Sequence, residues 1–105
     1  MKIKKGLAKE YKQYVKKNSN DGYSKAVVDA GEAVGQALDQ GKTPKQAHDK
    51  MYDFDLTGFM AGCLAQAITY FHPRGEEFRV WWNKDNGIKD PKQRGVVNPA
   101  IMTLK

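Results

Sequence analysis

Apolar residues recur along this chain mostly at the spacing of an α-helix. From Phe59 the apolar positions fall at i, i+1, i+4, i+5, i+8, i+9 and i+12, ending at Phe71. That spacing gathers them on one side of a helix, and the alanines and glycines between them keep its other sides thin. The pattern therefore predicts a central helix over residues 57–71 that other helices surround. Its cysteine, Cys63, is expected to be buried and inert within the apolar stripe.

The preceding segment shows a helical repeat over residues 23–40. Small residues separate its apolar positions, and two of them, Gly31 and Gly35, are four residues apart. Such a pair lets a second helix cross closely. We therefore expect a long helix against which another helix packs.

Two short helices are predicted on either side of the central one. Thr43 followed by Pro44 is typical of a helix N-terminus and predicts a helix that continues to about Tyr52. Pro73 ends the central helix, because the residue before a proline avoids the helical conformation. Acidic residues then open a last helix over residues 75–83, where they suit the positive N-terminal end.

Together these elements indicate an all-α fold. A chain of 105 residues has the size of one domain. Residues 1–105 are expected to form a small bundle of about five helices around the central apolar helix. We divide it into a basic amphipathic helix over residues 1–18, a helical core over 23–83 and an irregular tail over 84–105. The apolar residues of the tail suggest that it packs back on the bundle or adds a short strand.

The net charge of the chain lies in its first 18 residues. Seven lysines and one acid, Glu10, give this segment a charge of +6, while the charges of residues 19–105 cancel. On a helix its apolar residues would span an arc of about 140°. Of the lysines, only Lys4 falls inside that arc. The pattern predicts a docked helix that presents a ridge of ammonium groups. The alternative is a solvated face that only keeps a small protein soluble.

Motifs that resemble catalytic or metal sites are incomplete. The stretch Asp53–Gly58 matches the start of a calcium loop, but its twelfth position, which should supply a bidentate carboxylate, is Leu64. The same letters, Asp-x-Asp-x-Thr, occur in haloacid-dehalogenase-type phosphotransferases, whose site follows a buried strand rather than a helical pattern. We expect a turn in which an aspartate or threonine caps the next helix. Cys63 and His72 lie about 14 Å apart along one helix axis and are not expected to form a catalytic pair.

A second candidate binding element is the pair Trp81-Trp82. Adjacent side chains on a helix point about 100° apart, so both are not expected to be fully buried. Trp82 lies four residues after Phe78 and is assigned to the core. Trp81 is assigned to the edge, near Arg74 or Arg79, where it would anchor a partner. The alternative is two partly buried core aromatics.

Three interpretations of function follow. The first is a small non-enzymatic interaction protein, whose lysine ridge binds an acidic protein surface or a nucleic-acid backbone without reading its sequence. The second is a homo-oligomeric structural or assembly protein, and the third and least favoured is a small enzyme. No catalytic residue, metal or cofactor is predicted. The residues assigned to binding are Lys2, Lys5, Lys9, Lys12, Lys16, Lys17, Arg74, Arg79 and Trp81.

The sequence also favours a compartment. A single cysteine, Cys63, cannot form an internal disulfide, which is typical of proteins of the reducing cytosol. Residues 1–18 lack the apolar stretch of a secretory signal. The longest nearly apolar run, residues 56–71, is shorter than the about 20 residues that span a bilayer. We therefore expect a cytoplasmic protein without a transmembrane segment.

Overall fold

The computed structural model describes residues 1–87, and within them the fold is all-helical, as predicted. The irregular tail predicted over residues 84–105 lies, from residue 88 onward, outside the described residues. So do the apolar side chains that we expect to pack back on the bundle. The elements in chain order are α1 (Ala8–Lys17), α2 (Gly22–Asp39), α3 (Pro44–His48), a 3₁₀ helix (Asp49–Asp53), α4 (Gly58–Phe71) and α5 (Gly75–Asp85).

The core forms where α4 packs against α2 on one side and α5 on another. Leu64 and Ile68 of α4, Leu38 of α2 and Phe78 of α5 are each at most 1% exposed. The prediction of a central apolar helix over residues 57–71 is confirmed in its position. Apolar burial of this kind stabilises the fold by roughly 25 cal/mol per Å² removed from water.

The predicted caps of α3 and α4 are confirmed. Thr43 accepts a hydrogen bond at Oγ1 from the N–H of Gln46 (3.2 Å) and donates its own N–H to the Gln46 side chain (3.0 Å). Thr57 caps α4 by accepting from the N–H of Met60 (3.2 Å). These side chains satisfy N–H groups that have no partner within the helix. The Asp-x-Asp-x-Thr stretch is therefore a turn that ends in an N-cap.

The first helix differs from its prediction, because it begins at Ala8 rather than at residue 1. Gly6 has a φ of +88°, a left-handed conformation that turns the chain before α1. The preceding residues lie along α2 and the end of α4: the N–H of Lys2 donates to Asp39 (2.9 Å) and that of Lys4 to the carbonyl of Phe71 (2.7 Å). Tertiary hydrogen bonds thus replace helical ones in this segment.

The N-terminal segment also takes the place of the helix expected beside Gly35. A Cβ atom added at Gly35 would collide with the Met1 side chain, while one added at Gly31 would meet nothing within 4 Å. The Met1 ammonium group lies 3.2 Å from Glu32, one turn earlier on α2. Gly35 therefore admits the chain of the N-terminal segment rather than a crossing helix.

Aromatic side chains hold α1 in place. Tyr11 and Tyr14 pack against Phe71 at the end of α4, with ring centroids 5.0 Å and 5.3 Å from its ring. The Tyr11 hydroxyl donates to Glu32, and burial followed by this hydrogen bond raises the pKa of Tyr11 well above its usual range. The apolar side of α1 is therefore its docked side, which leaves the lysines outward.

Candidate functional site

Lysines on α1 and just before it form the clearest charged surface of the described residues. We define the lysine face as Lys5, Lys9, Lys12, Lys16 and Lys17, all of which are exposed. Within residues 1–87 none of the five ammonium groups forms an ion pair. Residues 19–87 carry ten acids and seven basic residues, so carboxylates are available but do not neutralise the lysine face.

This concentration of charge works against the stability of α1. Lys12 lies three residues after Lys9 and four before Lys16, and like charges at these spacings repel across a helix surface. Lys9 also lies in the first turn, where the helix dipole disfavours a cation. Each effect costs a few tenths of a kcal/mol. Lys16 and Lys17 lie in the last turn, where the dipole favours cations, so the folding of α1 accounts for only part of the lysine face.

The other two N-terminal lysines lie apart from the lysine face. Lys4, which the sequence pattern places in the apolar arc, donates its ammonium group to the carbonyl of Thr69 (3.0 Å) and is half-buried. Lys2 borders a small depression beside Asp39 and His72. The sequence analysis assigned Lys2 to the same ridge as the five residues of the lysine face, and the structure places it apart from them.

Arg74, assigned to binding from the sequence, lies at a corner that joins α2 to α5. Its guanidinium donates to the carbonyls of Leu38 (2.9 Å) and Lys42 (2.7 Å) and to the carboxylate of Glu77 (2.7 Å). The hydrogen bond from Arg74 to Glu77 holds the pKa of Glu77 below its usual range. The donors of Arg74 are engaged inside the fold, which favours a structural role.

His72 completes the same corner. Its ring is 1% exposed, and Nδ1 accepts from the N–H of Arg74 (2.9 Å) while Nε2 lies 2.7 Å from Asp39. Because Nδ1 is an acceptor, Nε2 carries the proton that Asp39 accepts. We name Asp39, His72 and Arg74 the polar corner. Its hydrogen bonds tie the end of α2 to the turn between α4 and α5.

The remaining candidates lie on α5. Arg79 donates to Glu76 (Nε–Oε2 3.0 Å), which lowers the pKa of that carboxyl. Trp81 is half-buried and packs on Phe78 and on His48, with ring centroids 5.8 Å and 5.0 Å away. Trp81 thus packs toward α3, Arg74 toward α2, and Arg79 bonds within α5, so the structure does not gather the three into one surface. Their role in binding stays a prediction.

An open apolar groove between α1, α2 and α4 was missed in the sequence. Its volume is about 560 Å³. Phe59 stands at its edge with 73% of its surface exposed. The residues that line the groove are Tyr14, Asn18, Tyr23, Ser24, Val27, Phe59, Cys63, Gln66, Ala67, Tyr70 and Phe71.

Cys63 belongs to this groove and is exposed, so the expectation of a buried cysteine was wrong. Helix α4 carries two apolar stripes, and only the one that contains Leu64 and Ile68 faces the core. The other contains Phe59, Cys63 and Tyr70 and lines the groove, where the Tyr70 hydroxyl donates to Glu10 of α1 (2.9 Å). The sequence did carry part of this signal, since Phe59 and Cys63 are four residues apart and share one side of a helix.

The described residues do not converge on a metal or catalytic cluster. Within residues 1–87 no three His, Cys, Asp or Glu side chains come close enough to hold a metal ion. Cys63 lines the groove whereas His72 is buried in the polar corner, so the two do not share a site. In the same part of the chain no helix is both long enough and apolar enough to cross a membrane.

Comparison with known protein families, with curated proteins and with solved structures finds no significant match to this chain. Its function is therefore argued from its own residues.

Proposed function

We propose that this chain is a small non-enzymatic interaction protein that binds an acidic surface of another protein through its lysine face. The observation that carries the proposal is the set of five exposed ammonium groups that lack a carboxylate partner within residues 1–87. Helix α1 holds Lys9, Lys12 and Lys16 at spacings where like charges repel each other. An acidic partner would relieve that repulsion on binding.

A protein partner is favoured over a nucleic acid. The aromatic rings of α1, Tyr11 and Tyr14, pack inward against Phe71 and are not presented for base stacking. Residues 19–105 carry no net charge, so they would add no attraction for an extended polyanion. A ten-residue helix about 15 Å long suits a local acidic patch better than a phosphate backbone.

The test compares two variants of equal charge. Lys12→Glu/Lys16→Glu and Lys50→Glu/Lys84→Glu each remove two positive and add two negative charges, but only the first pair lies on the lysine face. All four lysines are exposed and outside the ion pairs of the described residues. Surface changes of this kind alter stability by under about 0.5 kcal/mol each. Any difference in binding therefore reports where the charge lies.

The probes are a glutamate-rich helical peptide and a DNA duplex of equal charge, followed by fluorescence anisotropy at increasing salt. We expect wild type and the Lys50/Lys84 variant to bind the peptide alike, with an affinity that falls as salt rises. The Lys12/Lys16 variant should lose most of this binding. Equal binding by the two variants would overturn the proposal. Tighter lysine-dependent binding of the duplex would replace the protein partner by a nucleic acid.

A further inference from the structure

We infer that the lysine face binds a short, flexible segment of its partner that is rich in Asp and Glu, rather than a helix or a folded surface. This inference rests on the proposed function and specifies the kind of partner at the same site. It depends on three features of α1: the arc over which its lysines spread, the small size of its outward side, and the lack of a large apolar residue among its exposed ones.

The lysines of α1 spread around a convex surface. At about 100° per residue, Lys12 and Lys17 stand about 140° apart around the helix axis, and Lys9 and Lys16 lie between them. The aromatic side of α1, which packs on α4, lies opposite this arc. The ammonium groups therefore point away from the fold in several directions rather than along one line.

A straight partner helix would reach only part of this arc, because two packed helices contact along a narrow seam. Lys9, Lys12 and Lys16 lie within about 60° of one another and could share such a seam. Lys17 stands about 80° from Lys9 and would be left outside it. A flexible segment can bend around the helix and bring carboxylates to both edges of the arc.

The outward side of α1 is too small for a stable interface between two folded surfaces. The helix has ten residues, so this side measures about 15 Å by 10 Å. Each partner in a standard interface buries roughly 800 Å². A short acidic segment does not need such an area, because each of its carboxylates can pair with an ammonium group independently.

The exposed residues of α1 also lack an anchor for a folded partner. Apart from the lysines they are Ala8, Glu10 and Gln13, whereas folded interfaces depend on a few large side chains, mostly aromatic, at their centre. Glu10 would repel an acidic partner, but it lies just outside the arc of lysines, where the Tyr70 hydroxyl donates to it (2.9 Å). Recognition on this side is therefore electrostatic, which suits a segment of high charge.

The experiment compares two acidic peptides of equal length and charge by fluorescence anisotropy at low ionic strength. One is stapled into a helix with its glutamates on one face, and the other carries Gly and Ser between its glutamates and stays flexible. We expect the full chain to bind the flexible peptide about threefold more tightly, as one additional exposed ion pair would give, although stapling lowers the entropy cost of binding. Equal or tighter binding of the helical peptide overturns the inference and leaves the proposed function intact.

Single substitutions then locate the contacts. Lys12→Gln and Lys17→Gln change opposite edges of the arc, and each should weaken binding of the flexible peptide by about two- to fivefold. The helical peptide should lose affinity with Lys12→Gln only. Lys50→Gln is the matched control, because Lys50 is exposed, lies outside the lysine face and forms no ion pair within residues 1–87. Loss of the flexible peptide at one edge alone contradicts the inference.

Two other outcomes concern the proposed function itself. If neither peptide binds at low ionic strength, the lysine face does not recognise an acidic protein, and the inference fails together with the proposed function. A single-stranded oligonucleotide of the same charge is the third probe. If it binds more tightly than the flexible peptide, the partner is a nucleic acid, and both are overturned.

Discussion

The polar corner and the surface around α1 differ in whether their polar side chains have partners within the fold. At the corner the side chains of Asp39, His72 and Arg74 find partners within the fold, over distances of 2.7–2.9 Å. On the α1 side five ammonium groups have no carboxylate partner among residues 1–87, and Phe59 stands exposed beside an apolar groove. A buried polar group without a partner costs stability, whereas an exposed one is left available to another molecule. The contrast separates the side that maintains the fold from the side on which we place binding.

The sharpest form of this contrast lies within α4, between neighbouring residues. Leu64→Ala removes a side chain with no exposed surface and should lower the free energy of unfolding by about 2–5 kcal/mol. Cys63→Ala, one position earlier but in the groove, should change it by less than about 0.5 kcal/mol. Urea denaturation of dilute protein measures both. Similar losses for the two variants would mean that the groove side is as well packed as the core.

The polar corner provides the next largest effect. Arg74→Ala removes the donor to two backbone carbonyls, and we expect a loss of about 1–3 kcal/mol in the free energy of unfolding. Arg79→Ala removes an arginine that is less exposed than Arg74 (17% against 30%) but whose hydrogen bonds go to Glu76 and not to backbone carbonyls, so it should cost less, about 1 kcal/mol. Thermal denaturation of both variants gives the comparison. If Arg79→Ala proves the more costly, the structural role of the corner is contradicted.

A smaller effect is expected from pH. Burial against Trp81 and Tyr52 lowers the pKa of His48 below its ordinary value of 6.5. The unfolded chain then binds more protons than the folded one as pH falls through about 6.5, so stability decreases. Between about pH 7.5 and pH 5.5 the melting temperature of wild type should fall more than that of His48→Gln. Parallel curves for the two proteins would show that His48 does not contribute.

Calcium should have no effect. Asp53 and Asp55 would open a calcium loop, but such a loop requires an acidic residue at its twelfth position. Here the twelfth position is Leu64, which lies in the core. Millimolar calcium should leave the melting temperature of the full chain unchanged. A rise of several degrees would show that the two aspartates bind the ion without the twelfth ligand.

Some structural roles could be predicted from the sequence and others could not, and the reason depends on how far away along the chain each residue's partner lies. The caps at Thr43 and Thr57 were predictable because a cap is a contact with a residue three positions away. The role of Arg74 was not, because its carbonyl partners at Leu38 and Lys42 are more than 30 residues distant. The prediction that Cys63 is buried was wrong for a related reason. Periodicity shows which residues share a stripe of α4, but it does not show which stripe another helix covers.

The sequence by itself determined the helical class, the approximate positions of the helices and the location of the excess charge before residue 18. Each of these follows from residue composition or from contacts within about four residues along the chain. Only the tertiary structure decided that α1 begins at Ala8, that residues 1–7 lie along α2, and that α4 keeps one stripe open. These features depend on hydrogen bonds and packing between segments far apart in sequence, where the competing local preference is worth less than the contacts that replace it.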